Sequence, residues 1–154
     1  MLETPHVAVG AAIAMKVGNP YLALPLALAS HFILDRIPHW NPHFYTEMKK
    51  YGKPSKKSTT LAVVDSIAAL GLGLAVAGSA LPNVSQAIIV VICCFLAVLP
   101  DQIKSPFFFF KKTRKGLFKK YVLFERSLQV DTTFWPGILT QIAVTIASIL
   151  WIVG

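Results

Sequence analysis

The chain has 154 residues, 55% of them hydrophobic and 14% charged, with a formal net charge of +8 and a mean hydropathy of +0.60. Soluble domains carry about 25% charged residues, so the composition argues against a soluble globular enzyme, a disordered tail and a nucleic-acid-binding module, and no nucleic acid is expected as a partner. The excess of Lys and Arg has a membrane reading instead, because cytoplasmic loops collect it and anionic lipid headgroups hold it.

The first apolar stretch, Val7 to Met15, is preceded by Glu3 rather than by basic residues, and no small-residue cleavage site follows, so the N-terminus is expected to belong to the mature fold. Thr4-Pro5 predicts a helix start, with the threonine hydroxyl as cap and proline at the first helical position. That helix, 4–17, is roughly 21 Å long, short for a ~30 Å hydrocarbon core. After the Gly18-Asn19-Pro20 turn a second helix, 20–37, ends where Pro38 denies the preceding residue an easy helical geometry. Residues 38–58 then turn polar and lysine-rich, with Trp40, Phe44 and Tyr45 as interfacial anchors, and read as a solvated loop. Helices 59–80 and 84–103 form a hairpin about Leu81-Pro82-Asn83, and a second basic loop, 104–132, surrounds the aromatic run Phe107 to Phe110. Helix 133–153 closes the chain. The expectation is one all-α domain, an integral membrane helical bundle of four to five helices, with Cys93 and Cys94 as packed or lipid-facing thiols.

The two basic loops hold 13 of the 15 basic residues, while the opposite turns hold none. The hairpin puts both loops on one face, and the positive-inside rule makes that face the cytoplasmic side of the inner membrane. In the third helix Ala69, Gly73 and Ala77 form a small-residue stripe that suits close helix packing and also offers a face for a homo-oligomer.

Ionisable groups inside a bilayer are costly and mark function by default. Counted from the distal turns at 1.5 Å per residue, Asp35, Asp65 and Asp101 lie about 22, 26 and 27 Å away, and His6 and His31 roughly 17–18 Å. Together with His39 they return to one depth near the basic face. His31 and Asp35 are spaced i, i+4, so an imidazole and a carboxylate can reach one cation from one helix face. Gly10 lies one turn beyond His6 on the same face and permits close approach of a neighbouring helix. The expected metal ligands are therefore His6, His31, Asp35, Asp65 and Asp101, with His39 as general acid or base and a divalent metal, Zn or Mn, as cofactor.

His6-xxx-Gly10, His31-Phe-Ile-Leu-Asp35-xx-Pro38-His39-Trp40 and Leu99-Pro100-Asp101 resemble the membrane-bound metal-dependent hydrolases, among them the LexA-binding inner-membrane hydrolases. The resemblance covers about the first hundred residues. It implies an all-helical membrane protein with a metal site that hydrolyses an ester or phosphoester. Histidines would be welcome nearer the C-terminus, where this chain has Glu125 and Asp131 as the available substitutes. Charge and depth suggest membrane lipids as surroundings and an anionic amphiphile as substrate. The alternative is a non-enzymatic small membrane subunit or ion-coupled carrier whose polar cluster binds a cation or relays protons.

Overall fold

The computed structural model describes residues 1–154 as an all-α protein, 79% helical and without strands. The helices are α1 (Glu3–Lys16), α2 (Pro20–Leu34), α3 (Phe44–Tyr51), α4 (Lys56–Ser79), α5 (Val84–Lys104), α6 (Pro106–Phe109), α7 (Gly116–Leu128) and α8 (Phe134–Val153). Local chemistry sets several starts. The side chains of Asn19, Ser55 and Asn83 accept backbone N–H groups of Tyr21, Ser58 and Gln86 respectively, and Pro20 follows the first of these caps. Ser55 starts α4 three residues ahead of the sequence-based boundary. At the other end of α2 the helix stops at Leu34 rather than Ile37. The Asp35 carbonyl there accepts the Val130 N–H, and His39 pairs with Val130 and Thr132, so the chain leaves the helix to join a segment before α8.

The two basic segments are not loops. They contain α3, α6 and α7, whose aromatic faces pack together: Phe44, Tyr45 and Met48 lie against Phe107, Phe108 and Val122. Arg114 donates to the Gly52 carbonyl, tying the two segments at one end of the bundle. A polar composition averaged over a whole segment conceals helices this short, whose apolar residues occupy only one stripe.

Burial is inverted relative to a water-soluble protein. The fully buried large side chains include His6, His31, His39, Glu125 and Asp35, while Ile67, Leu70, Leu74, Phe95, Leu139 and Leu150 are exposed. The helix α4, the helix α5 extended through α6, and α8 are long and apolar enough to cross a membrane, and an apolar exterior around a polar interior is the arrangement a bilayer requires. The short α1 is the central helix, packed against α2, α4, α5 and α8. Being surrounded by protein, it has no lipid thickness to match.

Close helix approach holds the far half together. A Cβ on Gly10 would lie 2.8 Å from the Cys93 carbonyl oxygen and 2.9 Å from Ala97 Cβ, and one on Gly73 would lie 3.3 Å from Val7. The Ala69-Gly73-Ala77 stripe is thus buried within the chain, against α1 and α5.

Candidate metal centre

The N-terminal half of α1, the C-terminal ends of α2 and α5, and the inner face of α7 meet at one point. His31 projects from the last turn of α2 and its Nδ1–H donates to the Ala97 carbonyl at 2.8 Å. A carbonyl can only accept, so Nδ1 carries a proton, and in the neutral ring Nε2 is the nitrogen with the lone pair. Nε2 faces Asp35 Oδ2 at 3.5 Å, Asp101 Oδ1 at 3.5 Å and Glu125 Oε1 at 3.6 Å. The His6 ring stacks on His31 with centroids 4.2 Å apart, and its Nε2 lies 3.5 Å from Asp35 Oδ1.

These separations decide what the cluster is built for. A charge-assisted hydrogen bond runs about 2.7–2.9 Å, so the imidazoles are not bonded to the carboxylates. Two ligands on a tetrahedral ion at 2.0–2.1 Å stand about 3.3–3.4 Å apart, close to what is observed. Both ring nitrogens of His6 and Nε2 of His31 have no hydrogen-bond partner although both residues are fully buried. Buried imidazole nitrogens and carboxylate oxygens that converge without hydrogen bonds between them are suited to a shared cation. The residues His6, His31 and Asp101 offer ligand atoms all within 4.8 Å of one another and could hold a metal ion. The backbone hydrogen bond to His31 Nδ1 is the outer-shell contact that metal-bound histidines ordinarily have.

The surrounding charges are arranged about the same point. The Lys104 ammonium pairs with Asp101 and lies 3.1 Å from Glu125 Oε2. Tyr121 O–H donates to Glu125 Oε1 at 3.3 Å; burial first, and then the Glu125 charge, raises its phenol above the usual range, so it stays a donor. The Met1 amino group and Gln129 Nε2 donate to the two oxygens of Asp35.

Two residues expected at the site do other work. Asp65 accepts the Glu3 N–H at 2.5 Å, the Thr4 N–H at 3.4 Å and the Thr4 hydroxyl at 2.7 Å. It therefore caps the α1 N-terminus from the neighbouring α4, where Leu2 supplies no side-chain cap, and the threonine expected as cap is itself a donor to Asp65. This accounts for a carboxylate in an apolar helix without a metal. His39 is fully buried, with Nδ1 bonded to the Ile37 carbonyl at 2.7 Å and Nε2 accepting from Asn41 at 2.9 Å. Burial, then the nearby amino terminus, lowers its pKa. With both nitrogens engaged and Asp35 Oδ1 at 3.8 Å, it stands behind Asp35 rather than at a reacting group.

Glu125 and Lys104 are the members that spacing from the outer turns does not reveal. Glu125 has a sequence signal all the same: it continues the apolar stripe of Phe118, Tyr121 and Val122 on α7. Asp131, the other acidic candidate in that region, is exposed and pairs with Arg126. A cavity of about 300 Å³ lies beside the centre between α4 and the α5–α6 end, with Asp101 and Lys104 on its wall. Comparisons with known protein families, curated proteins and solved structures find no match.

Proposed function

We propose that the protein is a metal-dependent hydrolase of the inner membrane, acting at its cytoplasmic surface on an ester or phosphoester of an anionic, lipid-like substrate. The observation that carries this reading is His31 Nε2, buried and without a hydrogen-bond partner, facing three carboxylate oxygens at 3.5–3.6 Å. In this reading His6, His31, Asp35 and Asp101 hold the ion, and mixed imidazole and carboxylate ligands suit Zn or Mn. When bound, such an ion lowers the pKa of water toward ~7 and polarises a phosphoryl or carbonyl oxygen.

The remaining roles belong to the chain's own groups. Glu125, oriented by Tyr121 and Lys104, takes the proton of the attacking water as its oxygen bonds to phosphorus or to the acyl carbon. The bond to the leaving oxygen breaks, and that oxygen receives the proton. Lys104, on the cavity wall, meets the negative charge on the reacting group. Apolar packing around the cluster excludes water and strengthens each of these interactions. The reading agrees with the resemblance to membrane-bound metal-dependent hydrolases.

Elemental analysis of the purified full chain tests it, with one or two equivalents of Zn or Mn expected. Glu125→Gln should retain the metal and lose about a hundredfold or more in hydrolysis of bis(p-nitrophenyl) phosphate or of a p-nitrophenyl ester. A well-folded protein that takes up no divalent metal would overturn the reading and favour the proton- or cation-coupled alternative, in which Lys104 alone balances Asp101 and Glu125.

A further inference from the structure

Below the chamber that adjoins the centre runs a second cavity of about 240 Å³, a groove between α4 and α5. Its walls are apolar: Leu70, Gly73 and Leu74 on one side, Val91, Phe95 and Val98 on the other. Glu3, Ser66 and Gln102 belong to the walls of both cavities, so the two adjoin end to end, with the Gln102–Glu3 hydrogen bond at their junction. From Ser66 to Leu74 the groove follows α4 for about 12 Å along the helix axis. Leu70, Leu74, Val91 and Phe95 are exposed on the outer surface of the two spans, which opens the groove sideways toward the bilayer.

The path is polarised along its length. Asp101, Lys104, Arg126 and Gln129 line the chamber at the end nearest the basic segments, whereas the groove beneath is almost wholly hydrocarbon. A water-soluble molecule has no use for a slot that opens into lipid. An amphiphile lying parallel to the helices matches both ends at once. The chamber also constrains the head. Lys104 and Arg126 are cationic, but Asp65 and Asp101 share the same wall, so an anion gains little there until a divalent ion offsets the carboxylates.

We infer that the substrate is a membrane lipid with a phosphate head, which enters sideways between α4 and α5, lays a chain in the groove and sets its phosphate in the chamber beside Asp101 and Lys104. This rests on the metal-centre reading above and adds to it the class of substrate and its route. Phosphate binding is accordingly metal-dependent, and the chain supplies most of the affinity.

The test is equilibrium binding to the full-length protein in a neutral detergent, using lysophosphatidic acid and glycerol 3-phosphate, which share a head and differ by the chain. With metal present, lysophosphatidic acid should bind roughly a hundredfold or more tightly than glycerol 3-phosphate. Removing the metal should weaken it about tenfold or more. Ser66 is exposed at the junction of the two cavities, so Ser66→Trp should block the path and abolish the advantage of the chain while metal content stays at the native level. Should Ser66→Trp fail to fold, Leu70→Trp on the outer surface carries the same test. Equal affinity for the two probes, or undiminished lipid binding in the folded variant at native metal content, overturns the inference and leaves the metal centre standing. A cationic single-chain amphiphile that binds as well as lysophosphatidic acid to the metal-loaded protein also overturns it. Absence of metal from the native protein overturns the underlying reading before any lipid is added.

Discussion

In its C-terminal half α1 meets α5 with bare backbone, Gly10 lying so close to the Cys93 carbonyl that even a methyl group does not fit. In its N-terminal half the same helix meets its neighbours through polar groups: His6 against His31 and Asp35, and the first-turn N–H groups against Asp65. The far half depends on dispersion between small residues, which works in lipid because it needs no hydrophobic driving force. The near half gathers charges that lipid would penalise, and each must find a partner inside the protein. The tightly fitted half fixes the distances in the half that carries the chemistry.

Overfilling the packed half breaks the comparison most severely. Gly10→Val should destabilise the protein by about 3 kcal/mol, because the new side chain meets backbone that cannot turn aside. A denaturation series in detergent would measure it, and metal content should fall with the folded fraction. A neutral Gly10→Val would mean that α1 and α5 are not held at this distance.

Removing a ligand from the polar half should leave the packed half intact. His31→Ala is expected to weaken metal binding by about a hundredfold or more, at least the upper figure for outer-shell changes. Titration against a competing chelator reads this directly, and helical content should stay native. One step further out, His39→Gln should weaken metal binding by only about tenfold, since His39 touches Asp35 from behind. A complete loss of metal in His39→Gln would make it a ligand in its own right.

The smallest effect separates capping from ligation. Asp65→Asn keeps the shape but gives up one acceptor at the α1 N-terminus, so it should cost about 1 kcal/mol of stability. Its metal content should equal that of the native protein. Loss of metal at native stability would return Asp65 to the ligand set.

Much of this protein was legible in one dimension. Apolar runs long enough to span a bilayer, broken by Gly-Asn-Pro and Leu-Pro-Asn, fix where the helices turn. The requirement that intramembrane charges share a depth brought His6, His31, Asp35 and Asp101 into one group. Gly10 was legible for the same reason: a residue without a side chain, one turn from a buried histidine, announces a close neighbour. Depth along a helix is set by residue count, but direction around the axis, and the partner met there, are not. Asp65 has the depth of a ligand and the direction of a cap, because the first turn of α1 presents its unpaired N–H groups to that side of α4. His39 follows Pro38 out of the helix, and only its pairing with Val130 and Thr132 turns its ring behind Asp35 rather than into the cavity. Glu125 and Lys104 come from segments whose average polarity reads as solvent. Only the packing of α3 and α7 over the end of the bundle encloses Glu125 and brings it to 3.6 Å from His31. The sequence determined which charges must be hidden, since hydrocarbon leaves them no alternative. The tertiary structure decided which of them face one another, because that depends on helix rotations and on contacts between residues 31 and 125 that no local pattern encodes.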